Sequence, residues 1–170
     1  SGNQGSVDGN GIFTSFYHPT ALAADAADNI YVWDLENHLI RRINQNRDVV
    51  TIAGKFGVSS NADRAGTNAT FSSVTALPGD NSGNLILVSP YSIRKITAVT
   101  NVTTIAGHFT QSGYTNGVGN LARFDQANGV CVSQGMVFVA DTVNQRIRSI
   151  AFNPLPEILS GANLDLSMYA

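Results

Sequence analysis

Three groups of residues in this chain are of types that could do chemistry. The first is histidine, at His18, His38 and His108. Three imidazoles converging on one point would bind zinc and leave a coordination position for water. Their context argues against it, because no His-x-x-x-His or Cys-x-x-Cys spacing occurs. The second group pairs acids with bases. Asp34 precedes Arg41 by seven residues, and Asp141 precedes Arg148 by seven. That spacing spans one hairpin and reads as a structural ion pair. The third is Asp8-Gly9-Asn10-Gly11, which begins like a calcium loop but lacks the further alternating carboxylates and the terminal Glu. Its counterpart, Asn116-Gly117-Val118-Gly119, carries no carboxylate, so both read as turns. Cys131 lies between Val130 and Val132 and reads as a small buried hydrophobe. Neither a Gly-x-Ser-x-Gly elbow nor a phosphate loop is present. The expectation is a non-enzymatic chain with no catalytic residue, no metal and no cofactor.

Charge narrows the partners. Ten Lys plus Arg stand against twelve Asp plus Glu, a net charge of −2. Arg41, Arg42, Arg94, Lys95, Arg146 and Arg148 gather at recurrent positions. Several have in-phase acids, so a nucleic-acid surface is not expected. No apolar run approaches the ~18 residues of a membrane span.

The elements that must hold these residues are short strands. The 170 residues include 17 Asn, 16 Gly, 15 Ser and 13 Thr, against two Lys and two Glu. Such turn and strand residues exclude a helical bundle, and the 43% hydrophobic content argues against disorder. A repeat organises them. Thr51-Ile52-Ala53-Gly54 returns as Thr104-Ile105-Ala106-Gly107, and Ile40-Arg41-Arg42-Ile43 as Ile93-Arg94-Lys95-Ile96 and Ile147-Arg148-Ser149-Ile150. Phe16, Phe71 and Phe124 mark another shared position. Three units follow, at 1–54, 55–107 and 108–161, with a tail at 162–170. Each predicts four strands, in the first unit over 20–24, 29–33, 38–43 and 49–53. The second strands, such as Leu85-Ile86-Leu87-Val88, read as buried on both faces. The third strands, alternating apolar and basic, read as half-covered. Four strands at a period near 50 residues predict β-propeller blades.

The units resemble NHL repeats, a propeller family named for an Asn-His-Leu triplet that Asn37-His38-Leu39 reproduces. The family's aspartate closing the second strand is matched by Asp34 and Asp141, and its "valine, threonine, isoleucine, alanine, glycine" end by Val50 to Gly54. The second unit departs from the pattern, with Ser89-Pro90 in place of the Asp-x-x-Asn turn. The resemblance implies an all-β partial propeller of three four-stranded antiparallel blades. It also implies alternatives: a fragment of a zinc-dependent lyase or hydrolase, or an RNA-binding propeller.

Propellers close with about four to eight blades. Three make an open arc whose end blades each leave an apolar face uncovered. Other copies of the chain, or further blades of a longer chain, are the expected partners, closing a ring or adding into a filament. In the tail, Leu164, Leu166 and Met168 alternate with polar residues. They read as the start of a further blade, as an assembly strand donated to a neighbour, or as a disordered end. The sequence starts at Ser1 without Met, as a mature form or a segment of a longer chain does. The poverty of Lys and Glu points to an extracellular or cell-surface setting. There Asn68 (Asn68-Ala69-Thr70) and Asn101 (Asn101-Val102-Thr103) are N-glycosylation candidates. The function expected is protein–protein interaction and assembly, as a self-assembling fibre subunit or part of a larger glycoprotein.

Overall fold

A computed structural model describes residues 4–80, 82–151 and 157–159. The tail residues Leu164, Leu166 and Met168 lie outside them.

The first unit is a five-stranded sheet. A short β1 (Gly9–Asn10) is followed by β2 (Pro19–Ala24), β3 (Ile30–Asp34), β4 (Leu39–Ile43) and β5 (Asp48–Ala53), in the order β1-β5-β4-β3-β2. The expected Asp8–Gly11 turn is therefore partly a strand that pairs with β5, Gly9 opposite Val49. The second unit has β6 (Leu85–Ser89), β7 (Ser92–Ile96) and β8 (Val102–Gly107). Its first strand is reduced to isolated bridges, Ala76 to Val88 and Gly79 to Leu85. Pro78, which has no backbone N–H to donate, interrupts that ladder. The third unit has β9 (Ala127–Ser133), β10 (Met136–Asp141), β11 (Arg146–Ala151) and β12 (Glu157–Leu159) in the order β12-β11-β10-β9.

All named pairings are antiparallel. Gly54 and Gly107 stand in the same relation to their sheets, with φ of 100° and 90°. A Cβ at either would collide with the carbonyl of His38 or Tyr91. This is the physical reason the Thr-Ile-Ala-Gly segment ends as it does.

Two apolar cores lie between the sheets. The first joins Ala21, Trp33, Ile40 and Ala53 of the first sheet to Leu77, Leu85, Leu87 and Ile96 of the second. The second joins Ile86, Val88, Ile93 and Ala106 to Val137, Val139 and Ile150 of the third. Among the described residues, only the middle sheet is thus covered on both faces, and β6 is buried at every position. The outer sheets depart from that expectation because, among the described residues, each has one neighbouring sheet. In β3, Ile30 is 37% exposed, and in β10 alternate residues are only half-buried.

Candidate functional site

The residues singled out as acid–base pairs meet inside the sheets. Asp34 Oδ2 lies 2.9 Å from Arg41 Nη1, with both side chains fully buried. Asp141 Oδ2 lies 2.9 Å from Arg148 Nη1. The third strands are therefore not half-covered in the expected way, since Arg41, Arg94 and Arg148 are all interior residues. Burying a guanidinium is costly unless its charge is paired and most of its donors are used.

Each arginine binds the connector that precedes its blade. Arg41 donates to the carbonyls of Ser15 and Val7 and to Asp8 Oδ1. Arg94 donates to the carbonyls of Thr70 and Ala62 and, through Nε, to Asp63. Arg148 donates to the carbonyls of Arg123 and Thr115 and to Asn116 Oδ1. Beneath each lies a phenylalanine of the same connector. The guanidinium carbon is 5.0 Å from the Phe16 ring centre, 4.6 Å from Phe71 and 4.7 Å from Phe124. The aspartates extend the clasp: Asp34 also accepts from the Tyr17 amide and the Asn37 side chain. Asp141 accepts likewise from the Asp125 amide and Asn144. Asn37 and Asn144 each donate onward, to the Gly5 and Gly113 carbonyls.

The second blade has Ser89 at the aspartate position, and Asp63 takes over the charge of Arg94 at 2.8 Å. Burial pushes the Arg94 guanidinium below its usual range, and Asp63 opposes that shift. Asp8 and Asp63 also close the sheet edges, accepting the amides of Thr51 and Thr104. Asp8 is thus part of a clasp. Sequence reasoning missed the connector partners Asp8, Asp63 and Asn116. The available signal was their phase, 33, 31 and 32 residues before their arginines.

The histidines do not come together as one group. His18 faces Glu36 at 3.7 Å on the surface. His108 accepts from the Thr110 amide. His38 occupies the left-handed region at φ 56° after a short 3-10 turn, Leu35–Asn37. Its ring lies 6.2 Å from that of Trp33. His38 Nδ1 and Trp33 Nε1 are buried with no hydrogen-bond partner. Among the described residues, no group of three or more His, Cys, Asp or Glu is placed to hold a metal.

Cys131 is exposed, contrary to the sequence expectation. It sits opposite Phe138 on the sheet face turned away from the second core. The glycosylation candidates Asn68 and Asn101 are both exposed at the edge of the second blade. Asn68 ends a 3-10 turn, Gly66–Asn68, and Asn101 bridges to Ala65 beside it. A cavity of about 350 Å³ opens between the second and third blades, lined by Asp80, Asn84, Lys95 and Gln134 among others.

Asp80 and Asp25 head equivalent turns. Asp80 accepts from the amides of Ser82 and Asn84 and from the Asn84 side chain. Asp25 accepts from Ala27, Asn29 and Tyr31. Burial alone would raise both carboxyls, but these hydrogen bonds outweigh it and hold them below the usual range.

No family model matches the chain. Part of Teneurin-3 from Danio rerio is 29% identical over 168 residues, covering 84% of this chain. The chain spans about 6% of that relative's length. Among solved structures, a protein of unknown function from Bacteroides thetaiotaomicron aligns with a TM-score of 0.69 at 20% identity, over 83% of this chain and 35% of that one. Virginiamycin B lyase from Staphylococcus aureus aligns with a TM-score of 0.56 at 11% identity, over 85% and 42%. The three sheets are β-propeller blades. At these identities the likeness concerns the fold alone. The blades keep the separate small sheets and face-to-face stacking that this fold requires.

Proposed function

We propose that the chain is an NHL-type propeller module that works outside the cell as a protein-interaction and assembly scaffold rather than as an enzyme. The observation that carries this reading is the use made of the recurring charged residues. Asp34, Arg41, Asp141 and Arg148 spend their hydrogen bonds on each other, on connector backbone and on the structural side chains Asp8, Asn37, Asn116 and Asn144. Their repetition is explained by fastening each connector to its blade, with no reacting group to serve. Similarity to part of Teneurin-3 supports an interaction module. The apolar side chains left bare on the outer blades supply surfaces for partners.

The same reading makes Asn68 and Asn101 glycan acceptors. Their shared position at the edge of the second blade would dedicate that edge to solvent and the outer blade faces to contact. No helix among the described residues is long and apolar enough to cross a membrane.

Two measurements test the proposal. Secreted from a eukaryotic cell, the chain is expected to carry glycans at Asn68 and Asn101 by mass spectrometry. Unmodified asparagines in secreted material would remove the glycoprotein part. Elemental analysis of the purified chain should give zinc far below one ion per chain. Stoichiometric zinc that is lost on changing His18, His38 or His108 to Ala would favour the lyase or hydrolase reading and overturn this one.

A further inference from the structure

The repeat allows burial to be compared at one position in three environments. Leu22, Leu77 and Val130 are equivalent, each facing the second strand of its blade. Leu77 is 1% exposed and packs in the first core, and Val130 packs against the second core. Leu22 is 69% exposed. Ile30, Leu85 and Val137 repeat the contrast at 37%, 4% and 0%. The first blade thus carries the leading face that, in the second and third blades, receives the blade before.

The opposite face shows the mirror pattern. Ile40 and Ile93 are fully buried, whereas their equivalent Ile147 is 42% exposed. Trp33 and Val88 are fully buried, whereas their equivalent Ala140 is only half-buried. Cys131 is exposed, whereas its equivalent Ala23 packs against the first core. The third blade presents the trailing face that, in the first and second blades, receives the blade after.

We propose that these two faces bind each other between molecules: the leading face of the first blade takes the trailing face of the third blade of a second copy. This inference rests on the interaction-module reading and names its partner. Two junctions of the same kind already exist within the chain, and both halves of a third are present on its outer blades. The contact is heterologous, so each copy uses a different face at each end. Other exposed apolar residues do not join it. Phe13 is 76% exposed, but its counterpart Leu121 is 66% exposed beside an intact junction.

The internal junctions also supply the register. A Cβ at Gly79 would lie 3.6 Å from the Ala24 carbonyl, its own equivalent in the preceding blade. Thr75 Oγ1 lies 3.3 Å from the carbonyl oxygen of its equivalent, Asn128. First strands therefore stack position on position. In the intermolecular junction, Cys131 of one copy would point between Leu22 and Ala24 of the other.

The test uses the 170-residue chain. Sedimentation at about 10 μM is expected to show species above the 18.0 kDa monomer. Leu22→Asp and Ile147→Asp, both at exposed positions, should keep the fold and weaken association about 30-fold or more. Under mild oxidation Ala24→Cys should give a covalent dimer, lost when Cys131→Ser is added. Three results would overturn the proposal: a wild-type chain that stays monomeric, association that Leu22→Asp leaves unchanged, or a cross-link that persists without Cys131. A monomer would leave the interaction-module reading standing, since that reading is judged on zinc and glycans.

Discussion

The first and second blades solve one problem in two ways. Each buries an arginine, Arg41 or Arg94, over a connector phenylalanine. In the first blade the charge is met by a buried aspartate of its own sheet, Asp34, and by Asp8 from the connector. In the second, Asp63 from the connector does the work, bonding both Nε and the Thr104 amide. In the first blade, Arg41 Nε has no partner. The blades differ as well in cover, since the second is packed on both faces and the first on one. A shared sequence position therefore has no fixed energetic weight, because its neighbours decide it.

The largest expected effect breaks the clasp where it is most buried. Asp34→Ala leaves the half-exposed Asp8 as the one remaining counter-charge of Arg41 among the described residues, and should cost about 3–5 kcal/mol in urea unfolding. Asp63→Ala should cost a comparable amount in the second blade, where Arg94 has no in-sheet acid. A loss under 1 kcal/mol in both would mean the clasp is incidental. Next comes the contrast at the leading faces. Leu77→Ala should destabilise by about 2–5 kcal/mol, while Leu22→Ala should stay within about 0.5 kcal/mol under dilute, monomeric conditions. Equal losses would refute the difference in cover.

The smallest effect concerns acid. The folded carboxyls of Asp25 and Asp80 are held below the unfolded value of 3.8. Their contribution is present above that value and is lost as pH falls through the folded pKa. Asp25→Asn and Asp80→Asn should each flatten the acid limb of a stability–pH curve. The third blade, with Ser133 at that position, supplies no such term. An unchanged slope below pH 4 would remove the claim.

Much of this was legible in the sequence, for definite reasons. Segments such as Thr-Ile-Ala-Gly recur because Gly54 and Gly107 meet the same carbonyl collision. The Asp34–Arg41 spacing was readable because both partners lie on one hairpin. Asp8 and Asp63 were not recognised as partners, since a contact spanning 33 or 31 residues leaves no local pattern. Cys131 was misread as buried because an apolar run does not reveal whether its sheet has a neighbour on that side. The second strands of the first and third blades were misread for the same reason, while that of the second blade is buried throughout as expected. The third strands read as half-covered because alternation alone does not say that the connector folds back over Arg41 and Arg94.

One property of the clasps bears on how such a chain grows over evolutionary time. Among the described residues, every polar partner of Arg41, Arg94 and Arg148 lies within the arginine's own repeat, while contacts between repeats are mainly apolar. Duplicating or deleting a whole unit of about 53 residues, roughly the length of one propeller repeat, would therefore never strand a buried charge. A cut shifted by half a unit would separate an arginine from its connector. Genes encoding such chains should gain and lose blades in one phase only, with breakpoints just after the glycine that ends the fourth strand.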